Sequence, residues 1–171
     1  EFIYDVLTTH EQMCNEQSVS AEVMMEKKLP PVLMDKDQAR QALTNLISNA
    51  LDAMPQGGTL KITAGSEDLN GVRYVFVKVS DTGPGIDEDK LALIFEPFFS
   101  TKEIGQGTGL GLSITRKIME EHGGFIKAES IRGAGSAFSM YFPQQSEEES
   151  QEVKCWEYMK CGRDKDATAK C

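Results

Sequence analysis

Residues 59–80 and 125–142 each hold two strand-like segments with no helix between them, which argues against an all-parallel sheet. Thr59–Ala64 and Val72–Ser80 form the first pair, joined by a polar loop around Asp68-Leu69-Asn70-Gly71. Phe125–Ser130 and Ser136–Phe142 form the second, split by the turn Arg132-Gly133-Ala134-Gly135. A further strand is expected over 20–28, where Ala21, Val23 and Met25 alternate with Glu22, Met24 and Glu26. The spacing of Phe2, Ile3, Val6, Leu7, Met13 and Cys14 predicts an amphipathic helix over 2–17. The clearest helical period covers 37–54: Ala39, Leu43, Leu46, Ile47, Ala50 and Met54 share a face, with Asp35 or Asp37 as cap. Pro55-Gln56-Gly57-Gly58 stops it. A short helix over 87–95 and another over 108–122, ending at Gly123-Gly124, complete the set. About three longer helices and four to five strands fit a two-layer α+β sandwich, a mixed, mostly antiparallel sheet with the helices on one face.

Pro143 marks the expected boundary between a domain over 1–143 and an acidic linker with a cysteine-containing tail over 144–171. The 171 residues carry a formal net charge of −9, which argues against general nucleic-acid binding. No apolar run approaches the ~20 residues needed to span a bilayer, and no signal-peptide pattern opens the chain. It begins abruptly on an amphipathic segment, as a piece of a longer protein would.

The chemistry is concentrated in two glycine-rich runs. Asp81-Thr82-Gly83-Pro84-Gly85-Ile86 follows a strand that alternates Val75, Val77 and Val79, so the Asp81 side chain emerges at a strand end. A carboxylate there accepts from an exocyclic amine, Gly83 and Gly85 let a base approach the backbone, and Ile86 offers an apolar floor. Gly105-Gln106-Gly107-Thr108-Gly109-Leu110-Gly111-Leu112 opens a helix, whose free N–H groups suit phosphates. No Gly-Lys-Ser/Thr follows, so a P-loop is excluded. Between the runs, Phe95, Phe98 and Phe99 precede Ser100-Thr101-Lys102, reading as a lid with a phosphate-directed cation, although at least one of the rings is expected in the core. Upstream, Asn45, Asn49 and Asp52 share a stripe about 60° wide, at ~100° per residue, and offer oxygens to a hard cation such as Mg²⁺. Downstream, Ser136 after Gly133-Ala134-Gly135 is placed to bond near the base. His122 reads as a helix C-terminal residue favoured by the dipole, and His10 as an ordinary helical residue.

In this order and spacing the motifs resemble the ATP-binding catalytic domain of sensor histidine kinases, within the group shared with gyrase, mismatch-repair ATPases and heat-shock chaperones. Asn45-Leu46-Ile47-Ser48-Asn49-Ala50 is similar to the N box, Asp81–Gly85 to the G1 box and Phe95–Phe99 to the F box. Gly107–Gly111 is similar to the G2 box, and Gly133–Gly135 more weakly to a G3 box. The resemblance implies a Bergerat fold holding Mg-ATP under a lid over 96–108, with Asn49 on Mg²⁺, Asn45 assisting and Asp81 reading adenine. It also implies a cytoplasmic setting, a histidine-bearing dimerisation domain outside this chain and a response-regulator receiver domain downstream, with no nucleic acid and no membrane contact. The hydrolytic members carry a Glu where this chain has Asn45, and an amide cannot act as a general base. Phosphoryl transfer to histidine is therefore expected; the alternatives are a Bergerat-fold ATPase and an anti-sigma-factor-type serine kinase. Cys155, Cys161 and Cys171 depart from the family. Their x5 and x9 spacings match no common zinc pattern, leaving a tail metal or redox module beside a disordered or loosely docked tail.

Overall fold

The computed structural model describes residues 1–100 and 108–144. Its elements run α1 (Phe2–Thr8), α2 (Glu11–Glu16), β1 (Val19–Met25), α3 (Lys36–Asp52), β2 (Gly58–Leu69), β3 (Val72–Asp81), α4 (Glu88–Leu91), α5 (Gly111–Glu121), β4 (Phe125–Ile131) and β5 (Gly135–Pro143). The strands form one sheet in the order β1-β2-β3-β5-β4. β1 pairs with β2 in parallel, because α3 intervenes as a crossover; the other pairs are antiparallel. This is the expected α+β sandwich with a mixed, mostly antiparallel sheet.

Three departures from the periodicity have local causes. The helix expected over 2–17 is two helices, broken at Thr9 and His10. Thr8 and Thr9 donate their hydroxyls to the carbonyls of Tyr4 and Val6, at 2.9 and 2.6 Å. The His10 ring also contacts Val6 O, at 2.9 Å, and such side-chain competition for carbonyls interrupts a helix. The polar loop expected at 68–71 is a tight hairpin turn, with Asn70 and Gly71 at φ 53° and 83°. A two-residue turn with both φ positive matches the twist of its strands, so pairing continues out to Leu69↔Val72. The short helix expected over 87–95 is confined to Glu88–Leu91.

The core lies between the sheet and the α1, α3 and α5 layer. Leu43, Leu46, Ile47 and Leu51 of α3 are fully buried, together with Leu60, Ile62 and Val79 from the sheet and Met119 from α5. Asp35 caps α3, its Oδ1 accepting from the Asp37 and Gln38 amides. His122, at the end of α5, reaches the same corner: its Nε2 accepts from the Asp35 amide at 2.9 Å. An accepting Nε2 places the ring proton on Nδ1, which donates to Ile118 O at 2.7 Å. The ring here is thus a neutral clamp between α5 and the start of α3, a role the dipole argument alone did not anticipate. His122→Ala should cost about 1–3 kcal/mol by urea unfolding, through the lost amide partner and the lost edge contact with Phe142.

Candidate functional site

The end of β3, the middle of α3 and the start of α5 surround a cavity of about 680 Å³. That lies inside the ~300–1,000 Å³ range of small-molecule sites. Of the residues singled out from sequence, Asn45, Asn49, Asp52, Asp81, Gly85, Ile86, Phe99, Thr108, Gly109, Gly111 and Ser136 line it. Gly83 and Leu110 are not among the lining residues. Lys102, Gly107, Cys155, Cys161 and Cys171 lie outside the described residues. Among the described residues, no cluster of three or more His, Cys, Asp or Glu side chains is arranged for a metal ion.

Asp81 is the last residue of β3, with Leu60 of β2 on one side and Ser136 of β5 on the other. It is only 7% exposed. Its Oδ1 accepts from the amides of Gly83 (2.9 Å) and Ser136 (3.3 Å). Burial pushes the carboxyl above the ordinary carboxylate range, and the two amides pull it partly back. The second oxygen, Oδ2, is the one left for a donor within the cavity.

The loop after Asp81 is fixed from outside. Thr82 Oγ1 accepts from the Thr59 amide at 2.9 Å, and Pro84 O from the Gly133 amide at 2.7 Å. Gly85 has φ +71°, and a side chain there would run into the Ile131 carbonyl. The Ile86 amide donates to Ser130 Oγ at 2.8 Å. Asp87 then bonds Lys90 (3.0 Å) and Arg132 (2.9 Å), and the Lys90 hydrogen bond chiefly holds its carboxyl below the usual range. Gly83 has no room for a side chain because the Ala53 carbonyl at the end of α3 closes over it.

On the helical side, α5 starts against the Asn stripe of α3. A Cβ on Gly111 would lie 3.8 Å from Asn45 Cγ and 3.9 Å from Asn49 Nδ2. Asn45 Nδ2 donates to Gly111 O (3.1 Å) and Thr115 Oγ1 (3.3 Å). Thr115, fully buried, sends its own hydroxyl proton to Gly111 O at 2.9 Å. Asn45 therefore faces two acceptors, which fixes the amide with its donor edge on α5. The Phe98 amide donates to Gly109 O at 3.0 Å, joining the two ends of the rim. Phe95 and Phe99 pack against the core, whereas Phe98 is 79% exposed, so the aromatic run divides as its chemistry requires.

Several wall residues were not among the candidates singled out from sequence. Ser48, Ile94, Leu112 and Phe138 also line the cavity, Ile94 and Phe138 from the buried core and Leu112 packed against it. Ser130 is off the wall yet touches both Ile86 and Ser136, and only the register of β4 against β5 brings it there. His10 is buried, with Nε2 3.5 Å from Ser48 Oγ.

The family described as histidine kinase-, DNA gyrase B-, and HSP90-like ATPase matches residues 34–146. The chain belongs to this family. Membership in an ATPase family implies ATP binding. The sensor kinase CckA of Brucella abortus is 43% identical over 71% of the chain, and the sensor histidine kinase ZraS of Escherichia coli K12 is 39% identical over 77%. The chain spans only 14% and 27% of those two proteins. Among solved structures, the nucleotide-free catalytic domain of histidine kinase ThkA is 36% identical with a TM-score of 0.72, covering 85% of this chain and 93% of that one. Full-length ShkA in complex with AMPPNP is 28% identical with a TM-score of 0.73, over 85% of this chain and 30% of that one. The described fold is that of the histidine kinase catalytic domain.

A carboxyl raised by folding favours the folded state below its unfolded pKa, and that contribution is lost as pH rises through the folded pKa. Asp81→Asn, which removes the charge and keeps an acceptor for Gly83 and Ser136, should leave thermal stability at pH 7 equal or higher. It should weaken ATP binding at least about tenfold in calorimetry, because an amide N–H replaces Oδ2 as the group facing the cavity. Wild-type affinity should likewise fall as pH drops through the raised pKa.

Proposed function

We propose that this chain is the ATP-binding catalytic domain of a two-component sensor histidine kinase, transferring the γ-phosphoryl group of Mg-ATP to a histidine on a dimerisation domain outside it. A response-regulator receiver domain would take the phosphoryl group next, and the domain itself works in the cytoplasm even where the parent protein is anchored. The domain occupies residues 1–143, with 144–171 as linker and tail.

The surroundings of Asn45 carry this reading. Gly111 O and Thr115 Oγ1 both accept from Asn45 Nδ2, while Thr115 gives its own proton to Gly111 O. A carboxylate placed there would face the lone pairs of the Gly111 carbonyl, so the arrangement favours an amide over the general base that water activation needs. Phosphoryl transfer instead depends on positioning and charge stabilisation, which suits amides, backbone N–H groups and a helix N-terminus.

Adenine fits the Asp81 end, where an amine meets Oδ2, while Gly85 and Ile86 form the floor. The triphosphate fits the α5 end, where Thr108, Gly109, Leu110 and Gly111 present backbone; Lys102 and Gly107, outside the described residues, are proposed as further phosphate contacts from the sequence alone. Asn49 and Asp52 contribute amide and carboxylate oxygens, a hard donor set suited to Mg²⁺. Asn49 would hold the ion, which neutralises phosphate oxygens when bound. Asn45 keeps α5 seated on α3 so that these groups stay in place.

The deciding experiment incubates the chain, alone and joined to a histidine-bearing dimerisation hairpin, with Mg-ATP labelled on the γ-phosphate. Acid-labile, base-stable label on the hairpin histidine, and none on the chain alone, is expected. Free phosphate released by the chain alone, without protein label, would identify an ATPase instead. Asn49→Asp should weaken Mg-ATP binding and reduce transfer to the hairpin at least about tenfold, and unchanged affinity would remove Asn49 from the site.

A further inference from the structure

Ser130 Oγ has one proton and two lone pairs. Its proton goes to Gly135 O at 2.9 Å, since a carbonyl can only accept. One lone pair accepts from the Ile86 amide at 2.8 Å. The 3.0 Å contact with Ser136 Oγ must then use the Ser136 proton, because Ser130 has none left to give. The Ser136 amide is committed too, to Asp81 Oδ1 at 3.3 Å. Ser136 lines the cavity and is 8% exposed, so its hydroxyl offers the cavity lone pairs only.

We propose that Ser130 is a positioning residue for nucleotide selectivity: by taking the Ser136 proton it leaves the Ser136 hydroxyl an acceptor beside Asp81 Oδ2, favouring a 6-amino purine over a 6-oxo purine. The inference rests on the ATP reading above and adds the device that sets its specificity. With Ser136 and Asp81 Oδ2 both accepting, the two protons of an exocyclic amine find partners, and a 6-oxo group in the same place meets oxygen lone pairs. Leaving such paired acceptors unmatched costs more than a misfit of shape alone.

The test measures ATP and inosine triphosphate binding to the whole chain by calorimetry, with thermal melts to confirm folding. Wild type should prefer ATP. Ser130→Ala frees the Ser136 proton to donate to the 6-oxo group, so the ATP-to-inosine-triphosphate affinity ratio should fall about three- to tenfold. Ser130→Cys, close in volume and a much weaker hydrogen-bonding partner, should shift the ratio in the same direction and covers the case in which Ser130→Ala does not fold. Ser130→Thr keeps the hydroxyl and should hold the wild-type ratio. In a Ser136→Ala background, Ser130→Ala should move the ratio no further. Equal losses for both nucleotides, with the ratio unchanged, would make Ser130 a structural support for the Ile86 loop and overturn the proposal. Wild type that binds neither nucleotide would overturn the ATP reading itself, which separates the two failures.

Discussion

Burying the Asp81 carboxylate costs free energy that only its partners offset, and much of the irregular backbone near the cavity supplies those partners. The Gly83 and Ser136 amides both converge on Oδ1. For Gly83 to reach it, the loop turns back over the end of α3, where no side chain fits. For Ser136 to reach it, β5 pairs with β3 right to the strand end, where Gly135 passes so close to the Asp81 carbonyl that a Cβ would collide. Ser130 and Arg132 then hold the loop against the β4–β5 turn. Gly83 and Gly135 thus follow from one requirement, that backbone approach a buried anion from two sides.

The helical wall is held on a different basis. α5 has no side-chain cap at its start; its first carbonyl docks on Asn45 and its last turn is tied through His122 to the cap of α3. Asn45 is therefore as much a joint between helices as a wall of the cavity. This dual use bears on how the family divides, because changing the amide to a carboxylate alters the docking surface of α5 along with the chemistry. The likeness of fold to the ThkA and ShkA domains extends over 85% of this chain.

Much of this was legible in the sequence where one residue type answers to one local demand. The period of α3, the strand pairs and the two glycine runs all led to the observed sandwich. The site residues then gathered around one cavity, save Gly83, Leu110 and those outside the described residues. What escaped were features set by partners remote in sequence. Ser130 is an unremarked polar residue in a strand until the pairing of β4 with β5 brings it beside Ser136. His122 looked like an end-of-helix residue because nothing local announces an amide 87 positions away. The break at Thr9–His10 was missed because apolar spacing runs through it, while the hydroxyls that interrupt the helix act on backbone.

The two walls also differ mechanically. The sheet end is stitched into a continuous hydrogen-bonded ladder through β2, β3 and β5, which resists shear along its length. The helical end is formed by helices in side-chain contact, and packed helices can slide by small steps. α1 leans on α3 through Ile3, Val6 and the Phe2 ring beneath Arg40, so a load on α1 is delivered to the helix carrying Asn45 and Asn49. The sheet wall is thereby held more stiffly than the helical wall, and a displacement carried by α1 reaches the cavity from the helical side alone.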